Sequence, residues 1–389
     1  MRIVHVAPSA PYNDYWGYQD NLLPKYHKKL GHEVSIIVTN LYHKDGKIEE
    51  GPCDDYVLND GVRVIRLRKK DYGNSTLTHL WSHLEVYDIL CELKPDFIFY
   101  HGMQSKSVFD IIRYKKKQNP KCVIVQDNHL DYNIGRRCKT FKDYVIRAIY
   151  RRMNKKSIPY IEKVYGVTPW RKLYAEDFYK ISPDKTDVLI MGADDEKIDF
   201  GRREELRNEI RTRYGVKETD FLVITGGKID TKKKIHLLMQ AAGNMPGLKL
   251  WVFGNVSEDL KAEFDALLQK YQNIHYLGWI AADSVYEYFF ASDIAFFPGQ
   301  HSVLWEQACA SKIPCVFEKW EGMEHVNNGG NSDFVENVTV DTLKQKLEEL
   351  LFTDAYYRMK EVALSPATDI YLYSRIAIKS LESVQNENS

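Results

Sequence analysis

The sequence predicts an α/β protein built from two doubly wound domains, with a ligand expected in a cleft between them at the C-terminal strand ends. Three observations lead there. Short apolar runs alternate with amphipathic stretches along most of the 389 residues, as parallel strands covered on both faces should. The length exceeds what one core usually supports, so two domains are the expectation. Ile181–Lys185, with Pro183 and its flanking charges, interrupts the alternation and reads as the junction.

The elements follow in order. Ile3–Val6 is a first buried strand, and an amphipathic helix runs from about Tyr18 to Leu30. Gly31-His32 stops that helix, and strand Glu33–Thr39 follows directly. Val62–Arg66 is a strand, Leu77–Leu93 a helix, Phe97–Tyr100 a strand and Ser107–Lys117 a helix. Cys122–Gln126 and Val164–Val167 complete the strands of the first half, and Val188–Met191 follows the junction. The second half gives strands Phe221–Thr225, Leu248–Phe253, Ile274–Leu277, Ile294–Phe297 and Cys315–Glu318. Between them fall helices Ile235–Ala242, Ser257–Tyr271, Ser284–Ala291 and Ser302–Ala310. Thr342–Leu351 and Tyr371–Gln385 are amphipathic helices that close the chain.

Composition narrows the function. The hydrophobic share of 44% and charged share of 28% are those of an ordinary soluble protein. A net charge of zero gives no global field to attract nucleic acid. The segment Met1–Pro8 reads as a strand rather than a leader, and no run of about 18 apolar residues occurs. The cysteines are scattered without a C-x-x-C pair, so reduced thiols are expected rather than a zinc site. There is no Walker spacing and no G-x-G-x-x-G after a strand.

Four segments carry candidate chemistry. Gly226, Gly227 and Lys228 lead into Lys232–Lys234 where a strand hands over to a helix. Lys228, Lys233 and main-chain N–H groups at that helix start suit a diphosphate; the same run also reads as a solvated turn. Glu306, one turn into Ser302–Ala310 and after the loop Pro298–His301, can accept from two vicinal hydroxyls of a ribose, or simply favour the helix dipole. His129, in the strand-end stretch Asp127–Asp131, can donate to a sugar hydroxyl or to a developing charge, or be held by its neighbouring acids. Gly17, after Tyr15 and Trp16, permits close approach of a phosphate or sugar on which the aromatics stack, or closes an aromatic-capped loop. Separately, Arg136, Arg137, Lys139, Lys142, Arg147, Arg151, Arg152, Lys155 and Lys156 crowd one amphipathic stretch. Such a helix lies on an anionic membrane or packs by its apolar side with its cations in water.

At these residues the chain resembles the retaining glycosyltransferases of family 4, of GT-B fold: two Rossmann-like domains facing a central cleft. Gly227-Lys228-Ile229 followed by Lys233 resembles the family's Gly-Arg-Leu…Lys-Gly, with Lys234 in the glycine position. Val252–Gly254, Asn273-Ile274, Leu277-Gly278 and Ala291–Asp293 keep the family's order, and Glu306–Pro314 resembles its Glu-Ala-Met-Ala-x-Gly-x-Pro run. Gly31–Val34, Met191–Asp194 and Asp127-x-His129 match further family segments. The family's other glutamate, eight residues before Glu306, is replaced by Pro298 in a shorter loop.

The resemblance implies an acceptor-side domain at 1–184, a nucleotide-sugar domain at 185–368, and a 369–389 helix returning toward the first domain. It implies catalytic roles for His129, Lys228 and Lys233, and donor contacts from Gly17, Gly227, Gly299, Gln300, His301, Ser302 and Glu306. Tyr15, Trp16 and Asp127 would lie on the acceptor side, and Arg147, Arg151, Arg152 and Lys155 at a membrane. The expected activity is metal-independent, retaining hexosyl transfer from a nucleotide sugar, a UDP-sugar first, with no cofactor. The expected acceptor is a glycan or lipid-linked molecule in bacterial surface-polysaccharide synthesis, at the cytoplasmic side of the plasma membrane. A nucleotide-sugar epimerase of the same fold, or a catalytically silent glycan- or nucleotide-binding subunit, are the alternatives.

Overall fold

The computed structural model describes residues 1–132 and 140–385. The chain forms two compact units, Met1–Ile190 with Ile376–Ser389, and Met191–Arg375.

The first unit is built on ten strands: β1 Arg2–Ala7, β2 Glu33–Thr39, β3 Leu41–Lys44, β4 Lys47–Glu50, β5 Asp55–Val57, β6 Arg63–Leu67, β7 Phe97–Tyr100, β8 Val123–Asn128, β9 Lys163–Gly166 and β10 Thr186–Val188. Eight form one sheet in the order β10-β9-β8-β7-β1-β2-β6-β5. Its pairings are parallel except β5 with β6 at the edge. The central strands are rich in Val, Ile and Phe and buried along both faces, which explains their continuous apolar runs. β1 lies between β2 and β7, so successive connections leave it in opposite directions and open a crevice at its C-terminal end.

Several local features differ from the expectation. The helix expected over Leu77–Leu93 is two helices, Ser75–Trp81 and Tyr87–Leu93. Ser82 breaks it in the left-handed region, at φ 39°, where its hydroxyl donates to the Pro8 carbonyl at 2.9 Å. A hairpin, β3–β4, turns at Asp45-Gly46, both at positive φ. Thr186–Val188 pairs with β9 instead of opening the second domain, so the division falls after Ile190 rather than after 184.

The second unit carries β11 Phe221–Gly226, β12 Leu248–Phe253, β13 Ile274–Gly278, β14 Ile294–Phe297, β15 Cys315–Glu318 and β16 Ser332–Val335, all parallel, in the order β13-β12-β11-β14-β15-β16. Its switch point is β11, between β12 and β14. Leu238, Met239 and Phe264 from the covering helices pack with Val223, Leu250 and Phe296 of the sheet. The closing helix expected over Tyr371–Gln385 is divided into Tyr373–Ser380 and Glu382–Gln385.

Candidate functional site

At the switch point of the second unit, β11 ends at Gly226 and Gly227 follows it. Gly227 takes φ 110°, and Gly254, after β12, takes φ 118°. A Cβ on Gly254 would stand 1.8 Å from the Gly227 carbonyl oxygen, so the two strand ends meet backbone against backbone. Beside them opens a cavity of about 510 Å³, lined by Gly227, Lys228, Phe253, Asn255, Trp279 and Leu304 among others. The volume lies in the range of small-molecule sites. Lys228 leaves 72% of its side chain exposed, 3.6 Å from the Asp230 carboxylate. Trp279, 65% exposed, lies on the loop after β13. Sequence reading missed Phe253, Asn255 and Trp279 as site residues, since the ends of two different strands, β12 and β13, bring them together.

The lysine turn is more occupied than expected. The Asp230 carboxylate accepts from the backbone N–H of Lys232 and Lys233, at 3.0 and 3.1 Å, so two of the donors assigned to an anion are already engaged. Lys234 holds φ 53°, the conformation that suits the family's glycine, and pairs with Glu318. The Lys233 ammonium donates to the carbonyls of Gln300 and His301. Burial lowers its pKa to about 8, against a small opposing pull from Asp230. Gly299 packs so tightly on this turn that a Cβ would lie 2.4 Å from the Lys232 carbonyl oxygen. Lys233 therefore fastens the Pro298–His301 loop from below.

Glu306 is fully buried in helix Leu304–Ala310. Its Oε1 accepts from His301 Nε2 and His325 Nε2, each at 2.8 Å, while Oε2 is buried without a hydrogen-bond partner. Burial pushes this carboxyl up, but the two imidazoles outweigh it and bring its pKa down to about 2. The expected open ribose contact is thus a closed His–Glu–His cluster, one residue away from the cavity-lining Gln307. Among the described residues these three form a grouping able to hold a metal ion, their ligand atoms within 4.8 Å of one another. His325 Nδ1 is buried without a partner, whereas a metal-bound imidazole normally donates through its second nitrogen. Ser302 accepts from Trp305 N–H at 2.9 Å through its carbonyl, and Gln300 is exposed.

In the first unit Asp127, at the end of β8, is fully buried. It accepts from Gly102 N–H at 2.6 Å and lies 3.0 Å from His101 Nδ1 and 3.3 Å from His129 Nε2. Burial raises the Asp127 carboxyl, but His129 and His101 outweigh it and hold it well below its usual range. His129 is 44% exposed. Burial lowers it, and Asp127 more than restores it, leaving a net raised pKa. The strand-end pair is therefore formed, with His101 as a third member that the sequence did not reveal. The aromatic loop is less free. Trp16 stacks on His43, with centroids 5.3 Å apart, and the Tyr15 phenol accepts from Asn59 N–H at 3.1 Å. A Cβ on Gly17 would meet nothing within 4 Å, so its position does not require glycine.

The basic stretch forms helix Phe141–Ser157, started by a Thr140–Asp143 capping box. Arg136, Arg137 and Lys139 lie outside the described residues. Arg151, Arg152 and Lys155 are exposed, together with Phe141 and Tyr144. Arg147 does not belong with them: its guanidinium sits over the Phe178 ring at 5.7 Å with one nitrogen buried, so its charge faces protein. Among the described residues no helix is long and apolar enough to cross a membrane.

Known proteins place these sites in context. Residues 207–362 match the family Glycosyl transferases group 1. This glycosyltransferase match spans β11–β16, the cavity and the His–Glu–His cluster. No curated protein matches the chain. Among solved structures, a glycosyltransferase from Rickettsia africae is 15% identical with a TM-score of 0.67, covering 99% of this chain and 98% of that one. HepE from Anabaena, solved with UDP and glucose, is 14% identical with a TM-score of 0.65 and coverage of 99% and 100%. A putative UDP-N-acetylglucosamine 2-epimerase from Listeria monocytogenes is 12% identical with a TM-score of 0.60 and coverage of 100% and 97%. The shared architecture is the GT-B fold.

Proposed function

We propose that the protein is a glycosyltransferase that moves a sugar from a nucleotide-diphosphate donor to a glycan or lipid-linked acceptor. The observation that carries this reading is the cavity at the β11 switch point, within the segment that matches Glycosyl transferases group 1. Its Trp279 offers a flat face to a base, and its Gly227-Lys228 edge offers close backbone and a largely exposed ammonium, paired only loosely with Asp230, to phosphates. HepE was solved with UDP, which supports UDP-sugars as the first donors to test.

Transfer would retain anomeric configuration, in line with the family 4 resemblance. Lys228 would meet the leaving diphosphate, and Lys233 would act by holding the Gln300–His301 carbonyls in place. His129, oriented by Asp127, would donate to a sugar hydroxyl. Positive side chains would serve where other transferases use a metal. The exposed Arg151, Arg152 and Lys155 with Phe141 and Tyr144 support a lipid-linked acceptor at an anionic membrane surface, hence a cytoplasmic protein at the inner face of the plasma membrane, engaged in polysaccharide synthesis. Calorimetry with UDP-, GDP- and ADP-sugars tests the donor assignment: saturable binding by the intact protein and weakened binding by Lys228→Ala are expected. Absence of binding by all three classes would refute it. The epimerase reading draws on the Listeria structure, and sugar isomerisation without acceptor would select it. Pro298 at the position of the family's glutamate favours a silent subunit, which would bind donor without turnover.

A further inference from the structure

A line of polar side chains runs through the interior of the first unit. Ser380 Oγ lies 2.7 Å from His27 Nε2. His27 Nδ1 lies 3.0 Å from His5 Nε2, and His5 Nδ1 lies 3.0 Å from His101 Nε2. His101 Nδ1 reaches Asp127 Oδ2 at 3.0 Å, the oxygen that also faces the half-exposed His129. Ser380, His27, His5 and Asp127 are fully buried, and His101 nearly so. Phe99 stacks on His5 and packs obliquely against His101, sealing the middle of the line. Only the Asp127 end belongs to the site described above.

Counting protons gives the line two self-consistent states. Asp127 is an anion, so His101 must present Nδ1–H to it. If His101 is neutral, its Nε2 must accept. His5 then donates from Nδ1, His27 donates from Nδ1, and the Ser380 hydroxyl donates to His27 Nε2. The Ser380 hydroxyl has another acceptor, however, the Ala377 carbonyl at 2.7 Å. When it turns there, His27 must donate from Nε2 to Ser380 Oγ. His5 then donates from Nε2 to His27, and His101 donates from both nitrogens, as an imidazolium between His5 and Asp127. The second state holds one proton more than the first. In both, each imidazole nitrogen along the line has a complementary partner, as buried polar groups require. His5 and His27 stay neutral in both, their protons merely changing nitrogen. This agrees with burial holding His5 well below its ordinary range and His27 at about 3.

We propose that His27, His5 and His101 form a one-proton switch that sets the charge beside the Asp127–His129 pair, with Ser380 as its far end. The added proton comes from solvent and rests on His101 as a new N–H bond at Nε2. The charged and titratable neighbours are His129 and Asp20 near His101, Arg171 near His129, and His32 near His27. Its use in catalysis rests on the glycosyl-transfer reading, in which His129 meets a sugar. The three histidines and Ser380 are positioning residues, because none of them is placed on substrate.

The test is long-range proton–nitrogen NMR of the full chain labelled with 15N-histidine, titrated over the range in which it stays folded. As pH falls, His101 should take the imidazolium pattern while His5 and His27 remain neutral and exchange Nδ1–H for Nε2–H at the same midpoint. Fixed tautomers at His5 and His27, or charge appearing on either, would overturn the switch. Ser380→Ala supplies a second reading. It removes the hydroxyl that donates in the neutral state, whereas in the protonated state His27 Nε2–H can still reach the Ala377 carbonyl, 3.3 Å away. Its midpoint should rise by about half a pH unit or more, the size of one modest hydrogen bond. An unmoved midpoint in a folded variant overturns the assignment of Ser380 as the terminus. The spectra need no substrate, so their outcome and that of nucleotide-sugar calorimetry can fail independently.

Discussion

Glu306→Gln isolates the charge at the centre of the His–Glu–His cluster while keeping its shape. Glu306 is fully buried, which raises its carboxyl pKa, but its two imidazole partners outweigh burial and bring it down from 4.5 to about 2. At about 1.4 kcal/mol per pH unit, the difference corresponds to roughly 3 kcal/mol favouring the ionised, folded form. The folded value is depressed, so this stability is present above the unfolded pKa and is lost as pH falls from about 4.5 toward 2. Glutamine keeps the Oε1 acceptor for an imidazole N–H and loses the charge, so the variant should be less stable by about 1–3 kcal/mol at pH 7. The assay is urea unfolding of wild type and variant, followed by tryptophan fluorescence, since Trp305 packs on His301 beside the cluster. Measured at successive pH values, the gap should narrow below pH 4.5. A variant as stable as wild type at pH 7, or a gap that stays constant on acidification, would show that the carboxylate is not held by its two imidazoles.

Other outcomes follow from the same geometry. Lys228→Ala should weaken nucleotide-sugar binding about 10- to 100-fold by calorimetry while leaving the melting temperature unchanged, because its ammonium is largely exposed. Trp279→Ala should weaken every nucleotide tested by about 1–2 kcal/mol through lost stacking, seen in the same titrations. Gly254→Ala should unfold or strongly destabilise the second unit, measured by circular dichroism, because the new methyl group collides with the Gly227 carbonyl. Charge reversal at Arg151 and Arg152 together should reduce sedimentation with anionic liposomes and spare binding of the donor; unaltered sedimentation would discard the membrane surface.

The sheet strands were legible because burial on both faces leaves continuous apolar runs, as in Leu250–Phe253 and Ile294–Phe297. The Asp45-Gly46 hairpin carried a recognisable turn signal that the reading passed over, while its polar strands β3 and β4 lack any apolar run. Ser82 could not be foreseen as a helix break, since its conformation depends on a carbonyl distant in sequence. Within the candidate sites, Gly227, Lys228, Asp127 and His129 stand out in the sequence by their place at or just past strand ends. The partners that decide their behaviour do not. His325 reaches Glu306 from another loop, and His101 reaches Asp127 from the neighbouring strand end. Local spacing carries no trace of such pairings, because only sheet order creates them.

The assignment of Ile376–Ser389 to the first unit has a consequence for biosynthesis. The strands around His5 leave the ribosome early, yet the hydroxyl opposite His27 arrives only after all of Met191–Arg375 has been made. The second unit can close while the first still waits with an unanswered imidazole in its interior. A released chain truncated after Arg375 should therefore yield one finished domain and one that remains open to proteases and chaperones, whereas the chain through Gln385 should complete both.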